Sequence, residues 1–253
     1  MTLAAFAAGC ADNSIPEAQL PELDPTNPLL AEWATPHATP PFSTIELAHY
    51  EPAFEAAIAC QRAEIDAIVN NPAEPTFGNT VAALERSGAL LARIEGIFYN
   101  LLSADTSDEM QEIALRVQPK LTELSNDISL NPELFARVKT VYEHPGCCLK
   151  KDDKKLLEDT YKSFARNGAA LSDADKELYR QYTSELAALT LKFGQNALAA
   201  TNAFALNIAD PKQVAELPAF VKDAMAAEAK ARSEKGWTAT LQAPSYVPFM
   251  TYS

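Results

Sequence analysis

Apolar residues recur every three or four positions along most of the chain, the spacing of helices that bury one face. Between Glu46 and Val69 the residues Leu47, Tyr50, Phe54, Ile58, Ile65, Ile68 and Val69 keep that spacing until Asn70-Asn71-Pro72 stops it. The pattern predicts a first helix of about six turns. Pro72 to Asn79 reads as a loop punctuated by proline, with Asn79 capping a second helix striped by Val81, Leu84, Leu91, Ile94, Phe98 and Leu101. Ser103 to Ser107 breaks the pattern, and Ser107 followed by Asp108 and Glu109 predicts a third helix reaching Asn126, because acids favour the positive end of the helix dipole. Asn131-Pro132-Glu133 places a cap before a proline whose missing N–H costs nothing in the first helical position. Short turns between such helices predict antiparallel hairpins and a bundle.

His144-Pro145-Gly146 marks a turn, and the charged run Lys150 to Lys155 opens a helix that ends near Asn167-Gly168. Ser172-Asp173-Ala174-Asp175 begins the longest helix, carried by Leu178, Tyr182, Leu186, Leu189, Phe193 and Leu198 to about Ala203. Its roughly 30 residues extend about 45 Å, longer than a small domain is wide, so it is expected to cross the molecule. Only near the end does the period change. Phe204 to Ile208 and Trp237 to Leu241 alternate like short strands on either side of a helix from Pro218 to about Lys235. The expected fold is mainly α, a bundle of antiparallel helices with one very long helix and a small β-sheet element near the C-terminus. The segments read as a signal remnant or lipobox at 1–10, a Pro-rich acidic lead-in at 11–45, a helical domain at 46–203 and the start of a small α+β region at 204–253. No internal repeat of solenoid length is visible.

Composition supports this picture: 47% hydrophobic residues supply a core, and only 8 glycines stand among many helix-forming residues. The net charge of -13 is concentrated at the front, where residues 1–78 hold 11 acids and the single base Arg62. A surface of that sign repels phosphate backbones, so nucleic acid is not an expected partner. Cys10, Cys60, Cys147 and Cys148 form no C-x-x-C pair and lack the neighbours of a zinc cluster. Residues 1–9 are apolar and end in small residues directly before Cys10, like the tail of a secretory signal, and Ala7-Ala8-Gly9-Cys10 resembles a bacterial lipobox. Cys10 is therefore a candidate lipidation site. The chain is expected to be exported, periplasmic or anchored to a membrane through that lipid, with a cytoplasmic location as the alternative. The lead-in after Cys10 either tethers the following domain or wraps around it.

The search for chemistry within the chain finds no catalytic residue and no metal ligand. A zinc peptidase needs two His one helical turn apart with an acid between them to take a proton from the bound water, and no H-E-x-x-H occurs. His37, His49 and His144 stand in a loop, at a helix start and at a turn, with capping or surface roles expected. There is no G-x-S-x-G elbow and no phosphate-cradling glycine loop. Acid pairs such as Asp152-Asp153 are common on solvated helix faces and carry no assignment without a pocket.

Whole segments carry the reading further. Pro75-Thr76-Phe77-Gly78-Asn79-Thr80, Ala83-Leu84-Glu85-Arg86-Ser87-Gly88, Phe98-Tyr99-Asn100-Leu101-Leu102-Ser103-Ala104 and Leu130-Asn131-Pro132-Glu133-Leu134-Phe135 closely resemble the front of bacterial peptidyl-dipeptidases of the thimet oligopeptidase family. Gly168 to Asp175 with Phe193-Gly194-Gln195-Asn196, and Leu241 to Tyr252, agree in the same order. The resemblance implies a largely helical zinc peptidase split by a deep channel, with this stretch forming one wall and the zinc held elsewhere by the His residues of H-E-x-x-H and a later Glu. It implies oligopeptide substrates, release of carboxyl-terminal dipeptides, zinc in the full-length enzyme and none bound to this chain, and a missing catalytic half as partner. It makes Tyr246 and Tyr252 candidates for lining the substrate channel, and gives the matched segments core, capping and turn roles. Three readings follow: a truncated part of such an enzyme, inactive alone; a catalytically dead helical module that binds peptides or another subunit; and one half of a split peptidase. In each, aromatic residues near the end are expected to be exposed and to promote association.

Overall fold

The computed structural model describes Ser14, residues 16–146 and residues 149–253, so Cys10, Cys147 and Cys148 lie outside the described residues. The chain divides into two compact units, Met1–Ala188 and Leu189–Ser253. In the first, helix α1 (Leu47–Val69) packs against α3 (Ala89–Ala104), α4 (Asp108–Ser129) and α5 (Pro132–Glu143), and α5 also packs on α6 (Lys151–Arg166). The stripe read from sequence is the buried one: Tyr50 and Phe54 of α1 meet Phe98 of α3 edge-on, at ring separations of 5.0 and 5.4 Å, and all three rings are closed off from water. Burial of each ring favours folding by about 1.5–3 kcal/mol, and the edge-to-face geometry adds to that. A second cluster joins Ile65 and Ile68 to Leu134, Val138 and Phe164.

Caps set the helix ends where small polar residues stood in the sequence. Ser107 Oγ accepts from the Met110 amide at 3.2 Å, and Asn131 Oδ1 accepts from the Leu134 amide at 2.8 Å. The second expected helix is the one that departs. Its cap is Thr76 rather than Asn79: Asn79 donates its amide to Thr76 Oγ1 at 3.2 Å and returns its side-chain oxygen to the Thr76 amide at 2.9 Å. One wide turn of π type (Phe77–Ala82) leads into the short α2 (Ala83–Arg86), and the chain breaks at Ser87-Gly88 before α3. Gly88 has φ 74°, the left-handed backbone that favours glycine, with the end of the Gln61 side chain packed beside it. Arg137 of α5 holds the loop ahead of this turn, donating to the Asn71 carbonyl at 2.9 Å and the Ala73 carbonyl at 3.3 Å. Helix α4 runs three residues beyond the expected Asn126, to Ser129.

The lead-in wraps rather than hangs free from Asn27 onward. Asn27 donates to the His49 carbonyl at 2.9 Å, and Leu29 and Leu30 are buried. Arg93 donates to the Leu29 carbonyl at 2.8 Å and lies 4.4 Å over the Trp33 ring. That cation is partly buried, and desolvation holds its pKa below the usual arginine value.

Helix α7 (Asp173–Ala203) is the long helix foreseen, continuous over 31 residues. Its first turns attach to the first unit through Arg180 on Asp127 at 2.7 Å and Thr183 on Asn126 at 2.8 Å. None of its residues is buried, although regular apolar spacing implies a covered face. In the second unit, β1 (Ala205–Ile208) pairs antiparallel with β2 (Trp237–Thr240), Ala205 facing Thr240 and Ile208 facing Trp237. Helix α8 (Ala219–Ala231) lies on β2 and closes a core of Val214, Leu217, Val221, Met225 and Ala239. It stops short of the expected Lys235 because the chain turns through Ser233 at φ 60° and Gly236 at φ 87° to enter β2. A Cβ at Gly236 would come within 2.3 Å of the Ile208 carbonyl oxygen. The last segment, unassigned in the sequence, is a helix, α9 (Ala243–Tyr252), with Pro244 in its first turn. Among the described residues no helix is long and apolar enough to cross a membrane.

Candidate functional site

The candidate channel residues Tyr246 and Tyr252 both sit on α9. They are 44% and 47% exposed, and Tyr252 meets Phe220 of α8 edge-on at 5.9 Å. Helix α9 is fixed to the sheet by Ser245, whose Oγ accepts from the Thr240 amide at 2.9 Å. Between the last turn of α7, α8, the end of β2 and α9, the second unit encloses a hollow of about 320 Å³. Helix α8 contributes one face to it: Phe220, Val221, Ala224 and Met225 at one end, Glu228 and Arg232 at the other. Arg232 Nε donates to Glu228 Oε1 at 2.7 Å, one helical turn apart. Across from them, Gln242 donates its side-chain amide to Asn202 Oδ1 at 2.9 Å. Sequence reasoning passed over these polar residues because Asn202 and Gln242 meet only when the strand pair folds α9 back toward the end of α7, and the local pair Glu228–Arg232 looks like any ion pair on a helix surface.

A second hollow, of about 400 Å³ in the first unit, is polar and is lined by Glu95, Tyr99, Gln118, Ser125 and Asn126 among others. Tyr99 donates to Gln118 Oε1 at 3.1 Å. Its pKa is pushed up to about 12, first by burial and then by the Glu95 charge, and burial likewise raises Glu95. Tyr99 thus stays a neutral donor at ordinary pH, and with Glu95 it does not form an acid and base tuned toward neutrality.

The histidines take structural places. His49 Nδ1 accepts from the Glu46 amide at 2.9 Å at the start of α1, His37 lies in a short turn (Pro36–Ala38), and His144 ends α5. Asp153 is an N-terminal partner of α6, accepting from the Lys150 amide at 3.3 Å. Cys60 is buried in α1, and burial first, with Glu64 second, raises its thiol. Among the described residues no three or more His, Cys, Asp or Glu side chains come together in a way that could hold a metal ion. The donor set of a catalytic zinc does not fit these residues. Several quoted segments take the structural roles anticipated for them: Thr76 and Asn79 form the cap, Phe98 the core and Asn131 the turn into α5; Phe193, Gly194 and Asn196 do not, and are exposed on α7.

No family model matches the chain. It is 39% identical over 212 residues to a dipeptidyl carboxypeptidase of Salmonella typhimurium, a match that covers 83% of this chain and 31% of that protein. The dipeptidyl carboxypeptidase of Escherichia coli is likewise 39% identical, over 211 residues, with 83% of this chain and 30% of that protein covered. Oligopeptidase A of Salmonella typhimurium is 29% identical over 228 residues, which are 90% of this chain and 33% of that protein. The chain thus spans about a third of the length of the curated relatives it matches. The likeness covers the helical first unit and reaches into the second, and with it the chain belongs to the thimet oligopeptidase family of peptidases, as an amino-terminal part of such a protein.

Proposed function

We propose that this chain supplies a non-catalytic helical wall of a zinc metallopeptidase that releases dipeptides from the carboxyl end of oligopeptides. The reading rests above all on the 39% identity to dipeptidyl carboxypeptidases over 83% of the chain. The chemistry divides accordingly. A zinc ion held by another part of such an enzyme would supply Lewis-acid chemistry and activation of a water. The ligands for it come from sequence beyond these 253 residues, while this chain contributes shape, a surface for the peptide and a surface for the catalytic portion. The open apolar stripe of α7, with Phe193 75% exposed, supports the last of these roles, because apolar surface of that extent is normally covered. Attachment to a membrane through a lipid on Cys10 remains part of this proposal and is checked by mass spectrometry of the mature protein.

The test is reconstitution. The purified chain should release no dipeptide from an acetylated oligopeptide. Mixing it with a polypeptide comprising the remaining two thirds of the Salmonella relative should restore release. Stoichiometric zinc on the chain alone together with dipeptide release would overturn the proposal, as would failure of the mixture to form a complex. The same stripe favours a second reading, a catalytically silent module that binds another subunit, which predicts a complex without restored activity.

A further inference from the structure

The hollow of the second unit has the dimensions and chemistry of a short peptide site. Its wall along α8 runs from Phe220 to Arg232 at the helix's C-terminal cap, twelve helical steps and so about 18 Å, a length that holds about five residues of extended chain. Its volume of about 320 Å³ lies at the small end of the range for ligand sites. One end is apolar, with Phe220, Val221 and Met225, and the other carries Arg232 and Glu228.

Two features select among ligands. The contact between Gln242 and Asn202 uses one N–H and one carbonyl oxygen of the pair, leaving Asn202 with an amide donor and Gln242 with an amide acceptor at the rim. A donor and an acceptor side by side complement the C=O and N–H of a peptide. Arg232 is engaged through Nε alone, which leaves both terminal nitrogens of the guanidinium as a fork suited to a carboxylate.

We propose that this hollow binds the carboxyl-terminal residues of an oligopeptide, with Arg232 holding the terminal carboxylate and the Phe220 end taking an apolar side chain about four residues upstream. The proposal rests on the peptidase reading and deepens it, by assigning a second place where peptide substrate is held, built wholly from this chain. Arg232 stands at the carbonyl end of α8, where the helix dipole opposes an anion, so the guanidinium itself has to supply the attraction. Removing it should therefore abolish the preference for a free carboxylate rather than weaken it.

The experiment uses the 253-residue chain labelled with 15N and the probe acetyl-Phe-Leu-Ala-Ala-Ala, as the free acid and as the carboxyl-terminal amide. Amide resonances of α8 and of Gln242 should shift on titration, with the free acid binding about tenfold or more tightly than the amide, as expected for loss of one charge-assisted pair. Arg232→Gln should bind acid and amide alike. Ala224→Trp, at an exposed position on the α8 wall, should fill the hollow and abolish binding while the helical circular dichroism is kept. Equal binding of acid and amide by the unaltered chain, undiminished binding by Ala224→Trp, or no shift in α8 at millimolar peptide would each overturn the proposal. Reconstituted activity without such binding would sink this site and spare the peptidase reading. Binding without reconstitution would do the reverse.

Discussion

Helices α4 and α7 both carry apolar stripes at helical spacing and meet opposite fates. In α4, Met110, Ile113, Ala114, Val117, Leu121 and Leu124 are all buried, while its outer face pairs with α1 through Arg116 on Glu51 at 3.0 Å and Lys120 on Glu55. In α7, Leu178, Tyr182, Leu186, Leu189, Phe193 and Leu198 are all exposed. From Leu186 to Ala203 the only charged residue is Lys192, and the narrow polar face of Lys192, Gln195, Asn196 and Asn202 leaves a broad apolar one exposed. A helix with that pattern favours burial of its apolar face. The contrast shows that spacing identifies which face favours burial. It does not identify the chain that provides the cover.

The comparison is most sharply tested by removing one phenylalanine from each side of it. Phe98→Ala deletes the ring that Tyr50 and Phe54 contact and leaves a cavity among closed-off side chains, so unfolding in urea should show a loss of about 3–5 kcal/mol. Phe193→Ala removes a ring of the same size from an open face and should change stability by no more than about 0.5 kcal/mol. Comparable losses at the two positions would mean that α7 is covered in solution, by a second copy of the chain or by a rearranged segment, and sedimentation of the unaltered protein would then show which.

A smaller effect concerns the lead-in, where polar contacts rather than apolar area do the fastening. Arg93→Met keeps much of the side-chain volume but loses the bonds to the Leu29 and Ala31 carbonyls and the stacking over Trp33. The expected loss is about 2 kcal/mol, in the range for charge-assisted hydrogen bonds. Hydrogen exchange should speed up at residues 29–33 and remain slow at Phe98. Uniformly faster exchange would show that the strap is part of the global core instead of a separately fastened piece.

The fold was legible wherever local chemistry decided it. Asn131-Pro132 and Ser107-Asp108 announce helix starts through hydrogen bonds made within three residues, and the stripe of α1 is complete in one segment. Misplacement occurred where distant residues set the outcome. Gly88 breaks the second helix with Gln61 of α1 packed against it, and Arg137 secures the loop before Thr76, neither of which is visible in the local pattern. Helix α9 was missed because its proline and aromatic content resembles a terminal loop, while its start is secured by Ser245 on Thr240. The hollow in the second unit was illegible for the same reason, since Asn202 and Gln242 lie forty residues apart in sequence. Family likeness was legible because whole segments were kept, although the likeness spans only about a third of a relative's length.

The smallest effect probes what burial does to charge on the covered side of the comparison. Glu95 lies on α3 in the polar hollow, and desolvation raises its pKa above the ordinary glutamate value. The folded state therefore holds this proton more tightly than the unfolded chain does. The favourable contribution is complete in acid, below the unfolded value, and is lost as pH rises through the folded one. At neutral pH the ionised carboxylate is a liability that glutamine, uncharged and of similar shape, does not share. Glu95→Gln should raise the unfolding free energy by no more than about 0.5 kcal/mol near pH 7. The gain should shrink to nothing as the pH is lowered below about 4, where glutamate is itself protonated in both states. Tyr99, held near 12, stays neutral throughout that window and leaves the reading uncomplicated. A loss of stability at neutral pH, or a gain that persists in acid, would mean that the Glu95 carboxylate is held by favourable contacts rather than stranded in a desolvated groove.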